Sequence, residues 1–287
     1  MKRTIAIAAL CAGIMLTTFP CQAKESGNVK INSKNFPDTI VREYVSEKID
    51  KNNDGYLSKK EISAVKTIII DKNNLYWENK DKPKEDYEII DCKGLEIFTN
   101  VEKVKLTTYC DTYVSEYGNI KNIKVLTKLT KIKNLEISGV NNSNYDFTKL
   151  NNLERLCIKS TKLKKLNLSK NVKLKNLKLA YNPLLKKINF TKNKNLEKIN
   201  LYGSGVKKIT LGKNNKIKNA NLNCTFISNY EKCNFNPKTL KTLKICNTQI
   251  KKVNLKKYKN LKKLSVTKEV KVIGYKGKKQ FTMRHYN

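Results

Sequence analysis

Between residues 50 and 61 the chain sets oxygen-bearing side chains at a spacing that suits a hard cation. Asp50, Asn52 and Asp54 occupy the first, third and fifth positions of this stretch, and Glu61 the twelfth. Calcium takes six to eight oxygen ligands at about 2.3–2.6 Å, so a short loop must offer alternate oxygens and bring back one carboxylate with both of its own. Gly55 at the sixth position gives the sharp turn, and Tyr56 at the seventh adds its backbone carbonyl. Ser58 at the ninth position reaches such an ion through water. The expected ligands are Asp50, Asn52, Asp54, Tyr56 and Glu61, and the expected ion is Ca2+. Leu57 has no oxygen to offer and should point into a core.

The flanks must hold this loop between two helices. Pro37 and Asp38 suit a helix start. Ile40, Tyr44, Val45 and Ile49 give an apolar stripe at helical spacing that runs up to Asp50. Ser58 and Glu61 have the spacing of a capping box, which predicts a second helix through about Val65. Helix, twelve-residue loop and helix together match the EF-hand motif. Such loops usually come in pairs, but Asp71-Lys-Asn-Asn lacks the glycine and the closing glutamate of a second one. A lone loop with three acids belongs in the extracellular affinity range, roughly 10⁻⁴ to 10⁻³ M. The alternative is an Asp/Asn-rich turn without metal.

Other chemistry is sparse. The single histidine, His285, stands close to the end of the chain, a poor place for a Cys–His or Ser–His pair. Cys157 is a conceivable nucleophile, or a plain surface or bridged cysteine. No phosphate-cradling glycine pattern occurs. An enzyme is therefore not expected.

The elements that dominate the chain are repeats. The pattern L-x-x-L-x-L starts at Val101, Ile132, Leu153, Leu174, Leu196, Ile217, Leu240 and Leu261, each time with an apolar residue at the three key positions. From Ile132 onward the starts keep a nearly constant step. The first step, from Val101 to Ile132, is about half as long again and carries an insertion. A polar residue follows most strands: Thr161, Asn182, Ser204, Thr225 and Thr248. This spacing resembles the leucine-rich repeat family over roughly residues 95–275. The resemblance implies one short strand per repeat, stacked into a parallel sheet, with apolar positions inward and the ends capped.

A second half-motif lies between the strands, as in Leu163-Lys-Lys-Leu-Asn-Leu168 and Leu185-Lys-Lys-Ile-Asn-Phe190. About 11 residues between half-motifs leave no room for a long helix, so the return segments should be extended or irregular. Their lysine pairs recur at one position per repeat, and strand neighbours sit about 4.8 Å apart. The lysines should then form ladders, either a solvated face that guards against edge aggregation or an anion-binding stripe.

The segment from Asn35-Phe36-Pro37-Asp38 through Glu61, running on into repeats, resembles the N-terminal cap of secreted Firmicutes leucine-rich repeat proteins. That resemblance implies a surface or secreted interaction module without catalytic residues. In this family the ligand usually sits on the concave sheet face, here the variable strand positions such as Glu136, Cys157, Lys178, Asn200 and Lys244, with Tyr181 and Tyr202 just past their strands.

Lys2 and Arg3, then an apolar run to Phe19, then Cys21-Gln22-Ala23 have the order of a secretory signal peptide. The expected organisation is a signal peptide at 1–23, a helical cap at 24–71 with the loop 50–61, a linker at 72–94, repeats at 95–275 and a tail at 276–287. No membrane span is expected once the signal is removed. Removing 1–23 lowers the formal charge from +36 to +34, because only Lys2 and Arg3 leave. Abundant Lys, Asn and Ile reflect an AT-rich coding bias, which still produces a real positive field. In an exported chain the six remaining cysteines permit disulfides. Cys92–Cys110 and one bridge among Cys224, Cys233 and Cys246 are the candidates, with free thiols as the alternative.

The expected function is a secreted or cell-surface binding module for an unknown protein or glycan ligand, with adhesion as its use. The alternative is an envelope protein held electrostatically to anionic polymers or lipids by the lysine ladders. Nucleic acid is the least favoured partner.

Overall fold

The computed structural model describes residues 28–72, 75, 88–108, 110–111 and 116–282. The expected signal peptide at 1–23, together with Tyr76, Trp77, Tyr87 and His285, lies outside the described residues.

Ten strands form one parallel sheet in chain order. They are β1 Thr67–Asp71, β2 Lys103–Thr107, β3 Asn134–Val140, β4 Arg155–Thr161, β5 Asn176–Lys178, β6 Lys198–Asn200, β7 Asn219–Asn221, β8 Thr242–Ile245, β9 Lys263–Thr267 and β10 Lys279–Thr282. The second apolar residue of each repeat stands opposite the next, from Ile68 to Val104, Leu135, Leu156, Leu177, Ile199, Ala220, Leu243 and Leu264. All nine are at most 3% exposed. A strand places alternate side chains on opposite faces, so one such column buries a continuous core while its neighbours face outward. The sheet runs one strand beyond the leucine template at each end, with β1 ahead of the first repeat and β10 after the last.

Most return segments are extended, with short 3-10 turns at Ile123–Lys128 and Glu231–Cys233. Several pair in parallel two by two: Lys187–Asn189 with Lys208–Thr210, and Lys252–Asn254 with Lys271–Ile273. The lysines Lys187 and Lys208 stand side by side there, as do Lys252 and Lys271, all of them exposed. The long step between β2 and β3 is filled by a short hairpin, Cys110–Asp111 against Glu116–Tyr117, and by Asn119–Lys121 pairing with Ile89–Asp91.

Buried asparagines tie successive turns together on the return side. The Asn171 amide donates to the carbonyls of Phe147 and Leu150 (3.0 and 2.9 Å), and Asn193 donates to those of Leu168 and Asn171 (3.0 and 2.9 Å). A buried carbonyl without a donor costs about 1–3 kcal/mol, so these amides relieve what the irregular turns leave open. At the sheet's other end of each turn, Ser160, Tyr181, Gly203, Cys224 and Asn247 all have positive φ, between 51° and 64°. This left-handed step, repeated at one position per turn, reverses the chain out of each strand.

Two helices flank the loop 50–61, but Thr67–Asp71, expected within the cap, is the first strand of the sheet. Helix α1 spans Thr39–Lys48 with Asp38 as N-cap, and buries Ile40, Val41 and Val45. Helix α2 spans Lys59–Ala64 behind a complete capping box of Ser58 and Glu61. Leu57 is fully buried. The Tyr44 hydroxyl of α1 donates to the Thr67 carbonyl and accepts from the Ile69 N–H (both 3.3 Å), which covers the open edge of β1. An uncovered edge would template pairing with another chain.

No disulfide joins the described cysteines, contrary to the candidate pairings. Cys92 is a buried thiol. Cys224 and Cys246 lie on adjacent turns one register step apart, where the Cys224 N–H bonds the Cys246 carbonyl at 2.9 Å, and successive side chains there alternate in direction. Cys233 is buried in the turn Glu231–Cys233 on the return side.

Candidate functional site

The variable strand positions line a trough of about 840 Å³ that crosses seven rungs, from Lys103 and Lys105 on β2 to Thr242 and Lys244 on β8. Its floor is rigid because every rung is anchored by the buried column beneath. Asn200 and Asn221 each turn the carboxamide oxygen onto a backbone N–H two residues on, of Tyr202 (3.0 Å) and Asn223 (3.2 Å). Only their NH2 ends remain to offer. Tyr181, 52% exposed, meets Tyr202 edge to face at 5.2 Å beside the trough.

Charge is arranged by rung. The residue just before each strand from β2 to β9 reads Glu102, Lys133, Glu154, Lys175, Glu197, Lys218, Lys241, Lys262. Three ion pairs bridge adjacent rungs along this rim, Glu102–Lys133, Glu154–Lys175 and Glu197–Lys218, each at 2.9 Å. Inside the trough Asp71 pairs with Lys105 (2.6 Å) and Glu136 with Lys159 (3.2 Å). Beyond Cys157, the outward positions of β5 to β9 hold Lys, Asn, Thr and Ser but no acid. The Cys157 thiol is pushed up to about 11, by burial first and by the nearby Glu136 carboxylate second. It is a poor nucleophile at neutral pH.

The loop 50–61 lies apart from the trough, in the cap. Asp50 is 3% exposed. Its Oδ2 accepts the Gly55 N–H at 3.0 Å, while its Oδ1 is buried with no hydrogen-bond partner. Asn52 Nδ2 donates to Asp54 Oδ2 (3.0 Å), and the Tyr56 N–H to Asp54 Oδ1 (2.8 Å). Glu61 closes toward the loop but spends its oxygens on the Lys51 N–H (2.7 Å) and on the N–H and hydroxyl of Ser58 (2.8 and 2.7 Å). Burial works to raise the Glu61 carboxyl, but these hydrogen bonds outweigh it and hold the group below the usual range. Residues 56–57 pair with Val29–Lys30 in place of a second loop. Among the described residues no three His, Cys, Asp or Glu side chains converge as a metal cluster. The buried, unpartnered Asp50 oxygen is the one feature that suits a hard cation, and Glu61 would have to give up its present donors to join it.

Ten parallel rungs, nine of them stacked on one apolar column and seven at a near-constant repeat, decide the fold. It is a leucine-rich repeat solenoid. Solved structures of that kind match it. An internalin C2 from Listeria monocytogenes superposes with a TM-score of 0.61 at 17% identity, covering 83% of this chain and 97% of that one. The functional domain of InlJ from Listeria monocytogenes, which includes a cysteine ladder, gives 0.56 at 14% identity over 90% of this chain and 61% of that one. At these identities the likeness is one of fold. In this solenoid Cys157 and Cys224 stand at different positions of their repeats, so they do not stack into such a ladder. No family model matches the chain, and no curated protein matches it by sequence. Among the described residues no helix is long and apolar enough to cross a membrane.

Sequence reasoning finds the trough residues and the loop, but not the charge alternation along the rim. The signal is present, since the residues differ in sign at every repeat from Glu102 to Lys218. It becomes visible only once the strands are set in register.

Proposed function

We propose that this solenoid is a secreted or cell-surface binding module that holds a partner protein against its concave trough. The observation that carries the reading is the trough itself, an open surface lined by lysine, asparagine and aliphatic side chains over seven rungs, with aromatic Tyr181 and Tyr202 at its edge. Interfaces need a rigid floor and a few aromatic anchors. In this reading the cap loop takes a calcium ion, held by Asp50, Asn52, Asp54, the Tyr56 carbonyl and Glu61. The ion's charge would tie the two ends of the loop together and stiffen the cap beside β1.

The test is adhesion of beads coated with the mature chain to animal and bacterial cells. Adhesion should disappear when the cells are treated with protease, and when the trough is blocked by the bulk of Asn200→Trp with Asn221→Trp. It should survive Lys187→Glu with Lys208→Glu on the return side. A second reading, electrostatic attachment to anionic envelope polymers, is favoured by the paired lysines Lys187 and Lys208, and Lys252 and Lys271. It predicts the reverse: resistance to protease, loss on changing the return lysines, and collapse as salt rises.

A further inference from the structure

The rim column has one irregularity. Sign alternates over six rungs, from Glu102 to Lys218, and each glutamate is satisfied by the lysine of the next rung. The next acid falls due at position 241, where Lys241 stands, and Lys262 follows it. Neighbouring strands lie about 4.8 Å apart, so these ammonium groups occupy adjacent rungs. Both are exposed, and among the described residues neither makes an ion pair. Lys244 and Lys263 add two more exposed cations on the same two rungs. From residue 232 to the end the sequence has 17 Lys and Arg against one acid, Glu269, so no local carboxylate answers them.

The paired half of the column demonstrates what fits such a gap. A carboxylate set between rungs meets a lysine at 2.9 Å. We propose that rungs β8 and β9 dock an extended acidic segment of the partner protein, whose carboxylates take the places where the column lacks its own. The inference rests on the reading of the trough as a protein-binding face. A protein with a local acidic segment suits the concave side better than a uniform polyanion does. Along the rim column the unpaired cations are confined to one end. Towards the other end the rim carries both signs, each glutamate paired with the lysine of the next rung, and Tyr181 and Tyr202 lie between. A polymer of even negative charge would lie across Glu102, Glu136, Glu154 and Glu197 as well. The Asn200 and Asn221 NH2 groups beside the cationic end suit peptide carbonyls or further carboxylates.

The probe is a short labelled peptide with glutamate at every second residue, which puts the acids on one face of an extended chain. Binding is read by fluorescence anisotropy on the full solenoid. The wild type should bind saturably, and more weakly as salt rises. Lys241→Glu with Lys262→Glu should weaken binding by roughly tenfold or more. Lys251→Glu with Lys252→Glu, the same charge change on the return side, should stay within about twofold. The milder pair Lys241→Ala with Lys262→Ala, checked by thermal melt, guards against loss of fold. Equal losses in both glutamate pairs, or no saturable binding, would overturn the inference. So would tight binding of a heparin fragment with none of the peptide. If peptide binding fails while protease-sensitive adhesion through Asn200 and Asn221 persists, the acidic segment is wrong and the binding module stands. If adhesion resists protease, the module reading itself is lost.

Discussion

The Lys72 ammonium lies 2.8 Å from a carboxylate oxygen of Asp38, and both side chains are nearly closed to solvent, at 2% and 5% exposure. The same carboxylate caps α1 through the Val41 N–H (3.0 Å) and accepts the Asp91 N–H (2.9 Å), while Lys72 also donates to the Ile89 carbonyl. One buried pair thus fastens the cap helix, the end of β1 and the first return segment to one another. Removing one partner of such a pair strands the other charge and typically costs about 3–5 kcal/mol. Asp38→Ala should therefore lower stability by that order and expose α1 to hydrogen exchange. Lys72→Met should cost less, since Asp38 keeps its two backbone donors. Denaturant melts of the two variants decide this, and equal small losses would mean that the pair does not anchor the cap.

Much of the fold is legible in the leucines, because an apolar residue in each of the three key positions can be satisfied only by stacking on the next repeat. The first and last strands are less so, for opposite reasons. Val65-x-x-Ile68-x-Ile70 fits the template, but it follows directly on the capping-box helix and stands ahead of the irregular step from Val101 to Ile132, so the period does not mark it. In β10, Lys279 stands opposite Leu264 and Phe281 opposite Val266, and Phe281 is 56% exposed. Among the described residues no further rung stands above it, so this strand shows no need for leucine. The asparagine ladder recurs as Asn171 and Asn193, one repeat apart, but in a chain so rich in asparagine that spacing is lost among the surface amides. The loop 50–61 and its flanking helices are plain in sequence because turn and capping signals are local properties. The rim alternation is not, because it compares residues in different repeats.

The buried column makes a prediction about the solenoid's middle. Leu177 is 3% exposed and packs between Leu156 and Ile199. Leu177→Ala should cost about 2–5 kcal/mol through lost burial and the cavity left behind. Asn193→Ala should cost about 1–3 kcal/mol, because two carbonyls lose their donor. The pair are on different sides of the same region, so the double variant should reveal coupling greater than the error of a denaturant melt only if the turns respond as one unit.

Calcium gives a sharper outcome. If the loop binds with a dissociation constant near 10⁻³ M, tenfold excess ion should stabilise the fold by about 1.4 kcal/mol. That appears as a rise in Tm of the wild type, with one ion in a calorimetric titration, and neither change in Asp50→Ala. An unchanged wild-type melt and no heat at millimolar calcium would reduce the loop to a turn held by its own hydrogen bonds.

The rim column should respond to acid. The carboxyls of Glu102, Glu154 and Glu197 are held below the usual 4.5, first of all by the hydrogen bond from the lysine on the next rung. A lowered folded-state value means that each pair stabilises above about pH 4.5 and is lost as the pH falls through the lower value. These groups are exposed, so salt should shrink the effect. Carboxyl titration followed by NMR should place all three below an ordinary glutamate, and Lys133→Gln should raise Glu102 most, because the largest cause of its lowering is removed. A wild-type Glu102 that titrates normally would mean that the ladder does not persist in solution.

Cys157 tests whether the trough can do covalent chemistry. Its thiol is raised to about 11, chiefly by burial and then by Glu136, against the opposing pull of Lys178, Lys159 and Lys105. A raised value keeps the proton on sulfur at neutral pH, and only the thiolate attacks. Four pH units below that value roughly one thiol in 10⁴ is ionised, roughly 300-fold fewer than for a free cysteine. Alkylation by iodoacetamide at neutral pH, read on the peptide by mass spectrometry, should be correspondingly slow. Glu136→Gln should speed it, since one of the two raising causes is gone, but burial should still hold it below a free cysteine. Labelling as fast as a free cysteine would put a thiolate on the floor of the trough and reopen the case for a nucleophile there.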